Sequence, residues 1–265
     1  MKNASPLSNF CNVPPWEIAS TAFNDSPKHL YIQGVRDTHR HFFNRLKRLD
    51  AWEERAQCYE DYMAVAFCLT QWRRENDPSG KLSLKHSYLR FLRGWLFDSD
   101  SVEGAVLRGW VESRLGIAPT YHHGIISSRR DETYLTYLTE RMNAMARTNA
   151  IFSQLDLLYE FVQHELKTRD PNRAHVTLYR GIYDIEEHDI LQRLDKNRIV
   201  LRLNNLNSFT RDFERAWEFG TNVLEVQVPI PKFFFDGSFL HVGILQGEEE
   251  VLVIGGAYEV RLRYY

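Results

Sequence analysis

The 265-residue chain has no apolar run approaching the roughly 20 residues that a membrane helix needs, so no membrane span is expected. Its opening, MKNASPLSNFCNVPPW, lacks the charged-then-apolar order of a secretory signal, and a cytoplasmic location is expected. Cysteine is scarce: Cys11, Cys58 and Cys68 are odd in number and widely spaced, which fits reduced thiols better than a disulfide framework or a zinc site. The pairs His39/His41 and His122/His123 have no ligand cluster near them in sequence, so no metal is expected. Charge of one sign is not in excess either. The 33 basic and 35 acidic side chains nearly cancel and are interspersed, leaving no strong field to hold nucleic acid or an anionic membrane surface. No internal repeat, low-complexity tract, P-loop or GxGxxG fingerprint occurs.

What is present is apolar and aromatic. With 43% hydrophobic and 13% aromatic residues, the chain can bury one large core or two unequal ones. Residues 1 to 35 carry Pro6, Pro14, Pro15, Asn3, Asn9 and Asn12 and read as an irregular arm, with Phe10, Trp16, Ile18 and Phe23 to pack it on the body. From 36 to 168 the period is helical. Trp52, Ala56, Tyr59, Met63, Ala66 and Trp72 recur at three- and four-residue steps, as do Leu84, Tyr88, Phe91, Leu92 and Trp95. Asp98, Ser99 and Ser101 offer caps for a helix through Val106, Trp110 and Leu115 that stops at Gly116. SSRRDE opens another ending near Asn149, and a further helix from Ile151 runs out at KTRDPN.

After Pro171 the period changes to two. HVTLYRGIY, RIVLRLN, NVLEVQVPI, EVLVIGG and YEVRLRYY read as strands, with a short helix, DFERAWEFG, closed by Gly220. The expected class is therefore α+β, with a helical region over 1–170 and a β-rich region over 171–265 forming one compact unit. The stretch PKFFFDGSFLHVGILQGEE is ambiguous, because Phe233, Phe234, Phe235 and Phe239 suit either a core or an exposed loop.

Three clusters in the β-rich region carry chemistry. Arg180 shares a strand face with Val176, Leu178 and Ile182, so a permanent cation points the same way as three apolar residues and needs an anion. Followed by Gly181, which would let a ligand approach the backbone, it suits bidentate contact with a diphosphate; the plain alternative is an ion pair with a nearby carboxylate. In Ser208-Phe209-Thr210, Thr210 or Asp212 can simply cap the next helix. Alternatively, Ser208 braces an acidic side chain from a neighbouring strand while the helix start offers N–H groups to a ligand. Glu248-Glu249-Glu250 runs into VLVIGG, and strand alternation sets Glu248 and Glu250 on one face. That arrangement is either a solvated turn or a pair in which one carboxylate stabilises positive charge and the other handles a proton.

Taken in order, strand Arg180, Ser208-x-Thr210 and Glu248-x-Glu250-Val-Leu-Val resemble the R-S-E pattern of arginine-directed ADP-ribosyltransferases, with Thr210 in place of a second serine. That resemblance covers about the last 95 residues and implies a split, mixed β-sandwich around an NAD cleft. It implies Arg180, Gly181, Ser208 and Thr210 as NAD-binding residues, Ser208 as the brace of the catalytic Glu250, and Glu248 as the residue that receives the acceptor arginine. No metal is required by such chemistry. The opening NFCNVPPWEIASTAFNDSPKHLYIQGVRDTHRHFF resembles, more narrowly, the dinitrogenase reductase ADP-ribosyltransferases. This implies the nitrogenase iron protein as substrate, its inactivation to regulate nitrogen fixation, and a PII-type signalling protein as regulator. The stretch 233–247 would then be a recognition surface for the acceptor. Two other readings stay open: transfer to an arginine of another protein, and a catalytically silent NAD-binding regulator.

Overall fold

The computed structural model describes residues 9–69, 86–146, 148, 150–240 and 250–264. The class is α+β, with helices before strands. The arm forms α1 (Pro15–Ile18) and α2 (Thr21–Asp25), and the helical region continues with α3 (Val35–Thr38), α4 (Arg40–Leu46) and α5 (Trp52–Ala66). Then come α6 (Tyr88–Phe97), α7 (Val102–Leu115), α8 (Glu132–Met145) and α9 (Ile151–Arg169). Trp72 and Leu84, which the periodicity assigns to α5 and α6, lie outside the described residues. Helix α7 shows how locally its ends are set. Ser101 Oγ accepts from the Gly104 N–H at 3.2 Å, and Gly116 ends the helix at φ 73°, where a side chain would be strained.

Helix α9 is buried nearly all round and is the centre of the molecule. Tyr159 donates to the Pro231 carbonyl at 2.8 Å, and Gln163 donates to the Phe233 carbonyl at 2.8 Å, which locks α9 to the strand region. One continuous apolar cluster runs from Ile18 and Phe23 through α5, α6, α7 and α9 into the sheet. The arm does lie on the body, but not through all four residues expected to anchor it: Ile18 and Phe23 are buried, whereas Phe10 and Trp16 are 51% and 74% exposed. Phe10 instead meets the Arg114 guanidinium, 5.2 Å from its ring centroid.

The strands are β1 (His175–Ile182), β2 (Asp189–Arg193), β3 (Arg198–Thr210), β4 (Asn222–Pro229), β5 (Phe233–Asp236) and β6 (Glu250–Tyr264), with α10 (Phe213–Trp217) between β3 and β4. They form one six-stranded sheet in the order β2-β3-β1-β4-β6-β5, and every pairing is antiparallel. Strands β3 and β6 also pair with each other, from Arg198↔Arg261 to Thr210↔Glu250, so the sheet curls back on itself. EVLVIGG and YEVRLRYY, which the sequence separates, are one strand. Gly255, near the end of the first segment, sits where β3 bulges between Leu203 and Leu206, and an added Cβ would lie 1.6 Å from the Asn204 carbonyl oxygen. At that bulge Asn205 donates to the carbonyls of Arg108 and Ile117, and Asn204 accepts from the Thr120 N–H, tying the sheet to the helical region.

The aromatic run after β4 is resolved in favour of the core. Phe233, Phe234, Phe235 and Phe239 are all buried against α9, α7 and β6, so they do not form a recognition surface. Residues 241–247 of that stretch lie outside the described residues.

Candidate active site

A cavity of about 420 Å³ opens where β1, β3 and the start of β6 face α6 and α10. Arg180, Gly181, Ser208, Thr210 and Glu250 all line it, although they are spread over 71 positions of the chain. Glu248 lies outside the described residues. Strand pairing makes the convergence: β3 and β6 are in register with Thr210 opposite Glu250 and Ser208 opposite Leu252, while Tyr179 of β1 pairs with Thr210 on the other side. Residues at paired positions point to the same face, which places Ser208, Thr210 and Glu250 together.

Arg180 Nη1 donates to the Ser208 carbonyl at 2.8 Å, and its Nε has no hydrogen-bond partner among the described residues. Burial lowers the pKa of its guanidinium, the Glu250 carboxylate raises it, and the Arg108 cation lowers it again. The ion pair that would make Arg180 a purely structural residue is absent among the described residues. A buried N–H of a permanent cation left unmatched at a cavity wall is costly unless an anion arrives. A diphosphate has that chemistry, and the residues present therefore fit the phosphate part of a dinucleotide.

Two details add to the sequence reading. Gly181 lines the cavity and has a second role, because an added Cβ would lie 2.1 Å from the Ala216 carbonyl oxygen: the glycine also admits α10 against β1. The first turn of α10, by contrast, is closed by its own cap. Asp212 accepts from the N–H groups of Glu214 and Arg215, and Thr210 Oγ1 accepts from the Asp212 N–H, so those donors are not offered to the cavity.

The helical region contributes side chains that the β-strand motifs did not reveal. Trp95, Phe97 and Ser99 line the same cavity, as do Tyr183, Arg215 and Phe219 from the β-rich region. Trp95 Nε1 donates to Ser208 Oγ at 2.8 Å and to Glu250 Oε1 at 3.3 Å. In sequence Trp95 was one more apolar position on the buried stripe of α6, and nothing local distinguished it from Phe91 or Leu92.

The fold also brings Glu140 to His122 and His123, with one ligand-capable atom of each within 4.8 Å of the others, a cluster the sequence spacing did not show. Arg108 Nη1 can only donate, so His122 Nδ1, 3.0 Å away, must accept; the ring proton then sits on Nε2 and is given to Glu140 Oε2 at 2.7 Å. Burial keeps His122 below its ordinary pKa, in line with a neutral ring. A metal at Nε2 would have to displace that proton, so the arrangement reads as a hydrogen-bond relay.

With this geometry in place, comparisons with known proteins bear on the whole chain. The sequence model of a family described as "Dinitrogenase reductase ADP-ribosyltransferase" matches residues 8–262. A protein of Rhodospirillum rubrum, "NAD(+)--dinitrogen-reductase ADP-D-ribosyltransferase", is 38% identical over 261 residues, covering 97% of this chain and 95% of its own length. No solved structure matches.

Proposed function

Since the chain belongs to the dinitrogenase reductase ADP-ribosyltransferase family, we propose that it transfers ADP-ribose from NAD to an arginine of dinitrogenase reductase, with the cavity around Arg180, Ser208 and Glu250 as its active site. The observation that carries this reading is the convergence of those three residues on one cavity, with an Arg180 Nε at its wall that has no partner among the described residues. The family supports NAD-dependent ADP-ribosylation, and the name of the Rhodospirillum relative supports the acceptor protein. Arginine as the accepting residue is supported by the Glu248-x-Glu250 spacing alone. Inactivation of nitrogenase and control by a PII-type signalling protein follow from the family resemblance alone.

NAD supplies the ADP-ribosyl group, whose ribose C1 gains positive character as the bond to nicotinamide breaks, much as in glycoside hydrolysis. Arg180 grips the diphosphate through its free Nε and fixes the donor in the cavity. Glu250 sets a negative charge beside C1, and Ser208 steadies the carboxylate. The electron pair of the broken bond goes to the ring nitrogen, so nicotinamide leaves neutral, while Glu248 orients the incoming guanidinium and accepts one proton as the new C–N bond forms, so that the acceptor keeps a single positive charge.

Glu250→Gln tests the assignment. The variant is expected to bind NAD but to transfer at least about a hundredfold more slowly, because the counter-charge to C1 is removed while ground-state contacts remain. Labelled NAD with purified dinitrogenase reductase gives the rate, and calorimetry gives the affinity. Near-normal transfer by Glu250→Gln would reduce the third motif to a turn, and binding without any transfer by the wild type would make the chain an NAD-binding regulator.

A further inference from the structure

The catalytic carboxylate assigned above is gripped by a residue from outside the β-rich region. Trp95 lies on α6, more than a hundred positions before Glu250, and its indole N–H is shared between Ser208 Oγ at 2.8 Å and Glu250 Oε1 at 3.3 Å. The ring that carries this N–H is itself held. The Arg108 guanidinium of α7 sits 5.0 Å from its centroid, and Arg108 is fixed by donating to the Ser99 carbonyl and to His122 Nδ1, with Asp100 Oδ1 3.0 Å away. His122 in turn donates to Glu140 of α8. Two further helices thus stand behind the indole carried by α6, and the only polar atom of that indole points at the two residues of the site that must keep their orientation.

From this geometry we infer that Trp95 is a positioning residue for the transfer reaction, holding Glu250 and Ser208 in their working orientation from the helical region. The inference rests on Glu250 being the catalytic carboxylate. Three physical effects act together. An N–H donor to a carboxylate stabilises its charged form, so Trp95 keeps Glu250 ionised against the low polarity of the cavity wall. With its oxygen accepting from the indole, Ser208 retains its own hydroxyl proton for donation to Glu250. A cation over the ring draws electron density from the indole and strengthens its N–H as a donor. Arg108 therefore acts on Glu250 through Trp95 without touching it. A plain packing role would need the ring of Trp95 but would be indifferent to where its nitrogen points.

Trp95→Phe keeps a buried aromatic ring and removes the donor. A second variant carries β-(3-benzothienyl)alanine at position 95, which preserves the bicyclic shape and lacks only the N–H. Transfer is measured over pH 4.5–9 for both variants, for the wild type and for Glu250→Gln, together with the affinity for NAD. For both Trp95 variants kcat should fall on the order of tenfold to a hundredfold with KM for NAD little changed, as for loss of a hydrogen bond to a charged group. The acid limb of the kcat profile should move to higher pH by about half a unit or more, because Glu250 holds its proton more tightly without the indole. If the isostere keeps wild-type kcat and the same acid limb while Glu250→Gln is inactive, Trp95 is packing only and the inference is overturned. A change confined to KM or to thermal stability overturns it as well. If Glu250→Gln is itself active, what fails is the assignment of the site, an outcome distinct from the others.

Discussion

Helix α9 buries three carboxylates, and each meets an arginine from elsewhere in the helical region: Glu165 with Arg55 at 2.6 Å, Glu160 with Arg36 at 2.5 Å and Asp156 with Arg114 at 2.7 Å. The β-rich region holds two cations away from water, the half-buried Arg180 on β1 and the buried Lys232 in the turn between β4 and β5, and neither meets a carboxylate among the described residues. Arg180 reaches the Ser208 carbonyl, and Lys232 Nζ reaches the Gly255 carbonyl at 3.4 Å, beside the rings of Tyr258 and Phe23. A charge taken out of water and matched by a side chain is part of the scaffold; one left unmatched either receives its partner from outside or gives up its charge. The two unmatched cations illustrate the two outcomes. Arg180 lines a cavity and keeps its proton, and under the function proposed above its partner is an anion from outside. Lys232 is fully buried, and burial brings it from 10.5 down to about 7.

The sharpest break of this contrast is in the helical region. Arg55→Met leaves Glu165 buried beside only the more distant Arg169, at 3.7 Å, and should destabilise the protein by about 3–5 kcal/mol in urea unfolding. A loss under about 1 kcal/mol, within the range of exposed pairs, would mean that the pair is not matching a buried charge.

Lys232→Met should do the opposite. Below about pH 7 both the folded and unfolded chains carry the lysine proton; between about 7 and 10.5 the unfolded chain holds a proton that the folded one lacks. Stability therefore rises with pH across that window and levels off above it. The methionine variant should be more stable at pH 6 by roughly 1–4 kcal/mol and should lack the rise. Thermal unfolding of both proteins from pH 6 to 9.5 gives the comparison, and parallel profiles would show that Lys232 is not the titrating group.

The smallest effect on stability, and the one that bears on function, belongs to Arg180. Arg180→Ala should weaken NAD binding about tenfold to a hundredfold while leaving the unfolding midpoint close to that of the wild type, and Arg180→Lys should not restore affinity, because a point charge cannot reproduce the planar fork. Calorimetric titration decides it. Equal affinity in all three proteins would move Arg180 into the class of structural arginines represented by Arg55.

Much of the fold was legible because its causes are local. Ser101 and Gly116 bound α7, Asp212 caps α10, and the change of period after Pro171 marks where helices give way to strands. The readings that failed depended on neighbours distant in sequence. Whether Phe233–Phe235 face the core or solvent is set by α9 lying over them, and whether EVLVIGG and YEVRLRYY are one strand is set by the Asn204 bulge opposite Gly255. Strand β2 was missed because its residues are mostly exposed and carry no alternation for burial to impose.

By itself the sequence nominated candidates for the chemistry: Arg180, Ser208, Glu248 and Glu250 stand in an order and on strand phases that covalent geometry translates into facing directions. Only the tertiary structure decided that Arg180, Ser208 and Glu250 share one cavity, that Gly181 also serves α10, that His122 donates a hydrogen bond to Glu140, and that Trp95 reaches Glu250 from the helical region. Alternation and capping act over a few residues and leave their mark in the local pattern. A hydrogen bond between α6 and β6 depends on the packing of the whole core, and no short stretch of sequence records it.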